Sequence, residues 1–348
     1  MYIKKNFSFK AIIKFSGFHI IWLSLWAVAV PLFIEFLHSK KIYAFSVPWL
    51  PVSLVGTAVA FYVGFKNNSS YDRLWEARKI WGGIVNSSRM WGSNVKAYIS
   101  NQFTDNKFTE AELNKFRKKL IYRHIGWLYS LRSQLLVPTP WEHLSQSGSL
   151  KKLTEKRMKN SGAGLFADEI TELTLPKCLG EEELERLVKS NNTATQIIDT
   201  QSGELKTLRE KNLIDDFRQM ELQKLLNEFY SHQGAAERIK KFPLPRQYAS
   251  LSFIFIGIFI FLLPFGLVTE FHDLSDWGAW LSIPFTIIVG WVFIMMELIG
   301  DYSENPFEGL SNDIPMLSIC RTIEIDLKEM LGETDLPQPI EAKNGVLM

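Results

Sequence analysis

The side chains that could do chemistry in this chain are few and scattered. Its six histidines and two cysteines, Cys178 and Cys320, show no metal-ligand spacing. There is no Gly-rich phosphate loop, nucleophile elbow or HExxH helix. His124, beside Arg123, is the histidine to weigh as a base; it reads better as a satisfied structural group. The cysteines read as reduced thiols. No cofactor is expected, and an enzyme has no positive support. What remains is the chemistry of a boundary. "PVSLVGTAVAFYVGF", Pro51 to Phe65, carries no charge, and "KNNSSYDRLWEARKIWG", Lys66 to Gly82, follows at once with charges and tryptophans. Such a change within one helical turn marks a passage from one solvent to another.

The elements that must position this boundary are long apolar segments. Phe18 to Ile34, Ala44 to Phe65, Ala249 to Thr269 and Trp277 to Met296 contain no Asp, Glu, Lys or Arg. Each approaches the ~20 residues that a helix needs to cross a bilayer. One such stretch could be a buried helix of a soluble protein, but four in two pairs predict membrane spans. The first is not read as a cleaved leader, because another span follows and no small-residue cleavage pattern stands out. With no charge inside the spans, a pathway through them is apolar at its narrowest part and would gate by dewetting. Four helices hardly ring a pore, so each chain of a cyclic oligomer would contribute one helix. The second span, with Pro48, Pro51, Gly56 and Gly64, is the natural choice.

Lysine and arginine set the orientation. Lys4, Lys5, Lys10 and Lys14 precede the first span, and Lys66, Arg73, Arg78 and Lys79 follow the second, whereas "EFHDLSDW" between the third and fourth has none. Positive charge favours the cytoplasmic side, which puts both termini and the middle region inside. Trp49 and Trp277 suit the interfacial belt. The expected organisation is a basic, amphipathic cytosolic arm over 1–17 that either lies against the membrane surface or is simply solvated, spans one and two over 18–65, a helical cytosolic domain over 66–247, spans three and four over 248–298, and a cytosolic tail over 299–348. Within the middle region, Leu74, Trp81 and Val85 share one helix face. Phe116 to Leu136 reads as an amphipathic helix ended by "VPTP". "SGAG" from Ser161 and "LPKCLGEEE" from Leu175 read as loop or cap signals. Ile214 to His232 reads as a long helix, broken by "FPLPRQY". No strand pattern or repeat is evident. The net charge of +2 speaks against a nucleic-acid partner.

Several segments resemble the bacterial branch of the bestrophin family: "FKNNSSYDRLWEARKIWGGIVNSSR" (Phe65 to Arg89), "YRHIGWLYSLR" (Tyr122 to Arg132), "ERIKKFPLPRQY" (Glu237 to Tyr248) and "GDYSENPFEGLSNDIPM" (Gly300 to Met316). They keep the family's order up to about Leu331. The resemblance implies an all-α membrane protein: a homopentameric ion channel with four membrane helices per chain, a helical cytosolic domain and one pore on the fivefold axis. It implies a place in the bacterial inner membrane, with the lipid bilayer, permeant ions and four further copies of the chain as partners.

By that resemblance, the pore neck falls on Leu50, Leu54 and Ala58, spaced by four residues on one helix face. Family members often have a larger side chain where Ala58 stands, so the lower neck is expected to be wider here. A second, cytosolic constriction falls on Met220 or on Phe217. Calcium-activated animal members carry an acidic run after "NPF". Here Asn305 to Phe307 is followed by "EGLSND", with only Glu308 and Asp313 acidic. Calcium binds through ~6–8 oxygens, many of them carboxylates, so calcium gating is not expected. Glu304, Asn305 and Asp313 are left as ion-binding or, the better reading, structural residues. The expected function is passive conduction of chloride or other small anions. A monovalent cation channel of the same fold, or a membrane-anchored scaffold, stays open.

Overall fold

A computed structural model describes residues 1–40, 42, 47–146, 148–161, 167–272 and 277–348. Among these residues the regular elements are helices, and the only β pairings are isolated bridges of Val346 with Tyr2 and Lys343. Most of "SGAG" and parts of both predicted links between paired spans lie outside the described residues. The chain forms two compact units: residues 4–73 with 243–305, and residues 1–3 with 74–242 and 306–348.

The first unit is a bundle of apolar helices. It holds α1 (Phe9–Ser16), α2 (Phe18–Ser39), the first half of α3 (Trp49–Tyr98), α10 (Arg246–His272) and α11 (Gly278–Asp301). Among the described residues four helices are long and apolar enough to cross a membrane: α2, α3, α10 and α11. Pro51 does not break α3. It lies in the first turn, whose N–H groups have no intrahelical acceptor anyway. Pro31, Pro264 and Pro284 sit inside α2, α10 and α11, as spanning helices tolerate when neighbours cover the freed carbonyls.

Small residues set the contact distances in this bundle. A Cβ on Gly56 would lie 2.5 Å from the Phe259 ring, and one on Gly290 would lie 2.8 Å from Leu23. Val52, Val59 and Val63 of α3 pack there with Phe259, Ile260 and Leu263 of α10, Leu23 of α2 and Ile294 of α11.

The second unit is helical too, and its core is conventional. α3 is one helix of 50 residues, about 75 Å long at ~1.5 Å per residue. In this unit Ala77, Trp81, Ile84, Trp91 and Val95 form its buried stripe, and Leu74 and Val85 pack at the edge. The helix α4 (Glu110–Leu136) starts at a capping box of Thr109 and Glu112 and stops where Val137 precedes Pro138. It differs from the amphipathic helix expected of it. From Leu120 to Arg132 every residue but Tyr122 is buried, because α6 (Ala167–Cys178), α8 (Thr193–Glu210), α9 (Asp216–Lys241) and α12 (Met316–Met330) pack around it. Arg123 survives inside through a two-pronged pair with Glu183, at 2.7 and 2.8 Å. α5 (Ser149–Ser161) and α7 (Glu181–Val188) complete the unit.

Two further boundaries follow the cap and break signals of the sequence. Leu175 to Cys178 close α6 and Gly180 caps α7, with Leu175 and Leu179 drawn into the core. α9 runs on to Lys241, up to Phe242 and Pro243, because no residue before that proline has reason to stop it.

Candidate functional site

The first half of α3 has two opposite characters. Val52, Gly56, Val59, Val63, Lys66 and Ser70 are buried, at spacings of three and four. On the other side Leu50 is 70% exposed, Leu54 63% and Phe61 67%, and Ala58 is exposed as well. The side that carries Leu50, Leu54 and Ala58 is therefore apolar and uncovered by its own chain. Ala58 borders an open groove with Val55, Val59, Tyr62, Phe255 and Ile258. A face of this kind, one helical turn between residues, can pave a narrow passage without offering any charge to a passing ion.

The packed side holds the group that sequence reasoning missed. Lys66 and Glu297 each stand one residue beyond an uncharged stretch, and they meet at 2.5 Å. Their side chains are 1% and 10% exposed. The Ser252 hydroxyl of α10 donates to the other oxygen of Glu297. Lys66 on α3, Ser252 on α10 and Glu297 on α11 thus tie three helices together. Asn67 adds a hydrogen bond from its side chain to the Met296 carbonyl, at 3.0 Å. The signal available in sequence was weak: a lysine and a glutamate at the ends of two spans. Their pairing across 231 positions follows no local rule.

In the second unit, Phe217 is 81% exposed and Met220 61%. They lie three residues apart at the start of α9, on the side away from Leu222, Leu225, Leu226 and Phe229, which enter the core. Both present themselves to whatever α9 borders.

Glu304, Asn305 and Asp313 divide between the units, the first two in the bundle and Asp313 in the other. Asp313 accepts hydrogen bonds from the backbone N–H of Phe307 at 3.0 Å, Gly309 at 2.7 Å and Ile314 at 2.7 Å. It closes a tight loop in which Phe307 and Gly309 both have positive φ, 70° and 83°. Burial pushes its carboxyl up, and the three donors pull it back. Nearby, Lys240 donates to the Phe307 carbonyl at 3.2 Å and pairs with Glu142 at 2.5 Å, while His143 meets Glu308 at 3.0 Å. Glu304 pairs with Arg246 at 3.3 Å, and its carbonyl accepts from Arg73 at 2.9 Å. Burial, with Asp301 beside it, pushes the Glu304 carboxyl up. Glu304 Oε2 and Asn305 Oδ1 are buried without a hydrogen-bond partner among the described residues. Among those residues no group of three or more His, Cys, Asp or Glu could hold a metal ion.

The candidates for catalysis are occupied otherwise. His124 is buried among Trp91, Trp127 and Phe229, with Nε2 2.9 Å from the Ser88 hydroxyl. Burial pushes its pKa down to about 3, so it stays neutral. Both thiols, Cys178 and Cys320, are pushed up to about 12 by burial, so neither is a thiolate nucleophile.

Among the described residues, four helices long and apolar enough to cross a membrane stand with a second, helical unit, the architecture of an all-helical membrane protein. A family model described as "Bacterial/Fungal Bestrophin protein" matches residues 11–329, so the chain belongs to the bestrophin family. It is 26% identical over 320 residues to the voltage-dependent anion channel-forming protein YneE of Escherichia coli K12, covering 89% of this chain and 88% of that one. It is 26% identical to the voltage-dependent anion channel-forming protein RSc3414 of Ralstonia nicotianae, with 91% of each covered. The fold matches a crystal structure of a bacterial bestrophin homologue from Klebsiella pneumoniae with a TM-score of 0.71. That match is 22% identical and covers 91% of this chain and 98% of the other.

Proposed function

We propose that five copies of this chain assemble around one axis as a passive channel for chloride or other small anions in the bacterial inner membrane, with both termini cytoplasmic. The observation that carries this reading is the uncovered apolar side of α3. In one chain, Leu50, Leu54 and Ala58 point away from the packed bundle. Five such faces around an axis form an apolar neck that water must enter before an ion does. Met220 or Phe217, exposed at the start of α9, forms the second constriction. The relatives' names, as anion channel-forming proteins, support the sign of the ion. A neck of Leu and Ala carries no charge, so selectivity rests with residues outside it. Asp313 serves the loop after Asn305–Phe307 as a structural carboxylate, and calcium does not switch the channel.

The test is flux through liposomes that contain only the purified chain. Chloride efflux under a potassium-matched gradient is expected. Sodium or potassium flux without chloride flux would reverse the sign of the reading, and no flux of either kind would remove it. A several-fold rise in flux with micromolar calcium, abolished in Asp313→Ala, would overturn the calcium statement.

A further inference from the structure

The first 34 residues contain no Asp or Glu, and Lys4, Lys5, Lys10 and Lys14 stand before the first span. The helix α1 is capped by Ser8, which accepts from the Ala11 N–H. It is joined to the spanning helix α2 by one residue, Gly17, whose φ of 45° turns the chain between them. That short joint fixes where α1 can be: within a turn of the end of a span, at the depth of the lipid headgroups. In α1 the apolar residues Phe9 and Ile13 are one turn apart and 75% and 43% exposed, and Phe18 beyond it is 72% exposed. In sequence, Lys10 and Lys14 follow them by one position each. Lys4 and Lys5 are exposed ahead of it.

From this placement we infer that residues 4–18 are a binding site for anionic phospholipid, with Phe9, Ile13 and Phe18 in the acyl boundary and the four lysines on the phosphates. An apolar face alone would also suit a second copy of the chain. Four positive charges within eleven positions would repel their own copies and need an acidic surface, which an anionic leaflet supplies. A basic side chain near such a surface favours binding by on the order of fivefold. The inference does not depend on the channel reading, because it concerns lipid and not ion passage.

The test uses the full chain. Purified protein is placed in vesicles of phosphatidylcholine with a minority of phosphatidylglycerol, re-extracted in mild detergent, and its retained lipid is counted by mass spectrometry. The wild type is expected to hold phosphatidylglycerol well above its share in the vesicle, and to lose that excess at high salt. Lys4→Gln with Lys5→Gln should lower the excess several-fold, and all four Lys→Gln should lower it by about tenfold or more. Oligomer size and helical content serve as controls. The double variant, altered only ahead of α1, carries the test if the quadruple one fails to fold. Equal phosphatidylglycerol in wild type and double variant, or an excess indifferent to salt, would overturn the inference. A change of oligomer size with unchanged lipid would assign the face to a second copy instead. Glycerol phosphate in excess should not compete; if it strips the lipid, the site takes free phosphate and the inference fails.

Discussion

The two halves of α3 bury opposite kinds of residue. In the bundle the outward side is Leu50, Leu54 and Phe61, and the packed side reaches a lysine that meets a glutamate. In the other unit Arg78 and Lys79 are exposed and Glu76 half-buried, and the packed side is Trp81, Ile84 and Trp91. One helix, with one periodicity, thus turns inside out along its length. The lesson concerns solvent. Where the surroundings are hydrocarbon or, on the proposed neck face, the same residues of other copies, apolar side chains gain little from burial within their own chain, and a charge is what must be enclosed. Where they are water, burial of apolar area drives packing.

The sharpest break of this contrast is at the enclosed charge. Lys66→Met or Glu297→Leu alone leaves an unpaired charge inside the bundle and should destabilise it by about 3–5 kcal/mol. The double variant should recover most of that loss, since no charge is left to enclose. Unfolding in detergent of the two single variants and the double one measures this. Additive losses would mean that Lys66 and Glu297 act separately.

In the water-facing unit the expensive polar group is Asp313. Asp313→Ala would leave three buried backbone donors without their acceptor, at about 1–3 kcal/mol for a donor left unpaired. Asp313→Asn, which keeps an acceptor oxygen, should lose less. Proteolysis of the 306–314 loop, compared across the three proteins, reads the difference.

His124 gives a pH test of the same unit. Its pKa is near 3 when folded, below the usual ~6.5. The unfolded chain therefore binds the extra proton first as pH falls. The contribution of a neutral His124 is complete above pH ~6.5 and shrinks as pH drops toward 3, by about 2 kcal/mol at pH ~5. His124→Gln should flatten that part of the stability-against-pH curve. A wild-type slope left unchanged in the variant would assign the acid sensitivity to other groups.

The smallest effect on stability, and the one that reads the pore, is at Leu54. A buried leucine costs about 2–5 kcal/mol on truncation, but Leu54 is mostly exposed in its own chain. Leu54→Ala should leave the fold of the chain within about 0.5 kcal/mol and raise unitary conductance by widening the neck. Ala58→Phe should lower it. Equal unitary conductance in all three, with assembly checked by size, would take α3 out of the pore.

Much of this was legible beforehand, and particular residues show why. The spans announced themselves because twenty uncharged residues in a row have few other uses. The long α3 was readable through Phe65 because nothing between Gly56 and Trp81 is a strong helix stop, and the tryptophan stripe continues the same period. The burial of α4 all round from Leu120 to Arg132, save Tyr122, goes beyond the amphipathic helix its sequence suggests, because Arg123 by itself reads as a solvent-facing charge. Only Glu183 and Glu204, more than fifty positions away, make Arg123 an interior residue. The roles of Glu304, Asn305 and Asp313 could not be separated in sequence, where they lie within ten positions. Folding sends Asp313 to the backbone donors of its own loop and Glu304 to Arg246.

By itself, the sequence determined what each local stretch dictates through composition and period: four apolar helices, the break at Pro243, the basic arm before Phe18, and the change of solvent at Lys66. The tertiary structure alone decided which side of α3 is packed and which is left bare, because Val52, Leu54 and Val59 are equally apolar and differ only in what lies opposite. It alone paired Lys66 with Glu297. Such a pairing depends on how three helices meet, and helices meet through shape and close contact at residues such as Gly56 and Gly290, which no local pattern of polarity records.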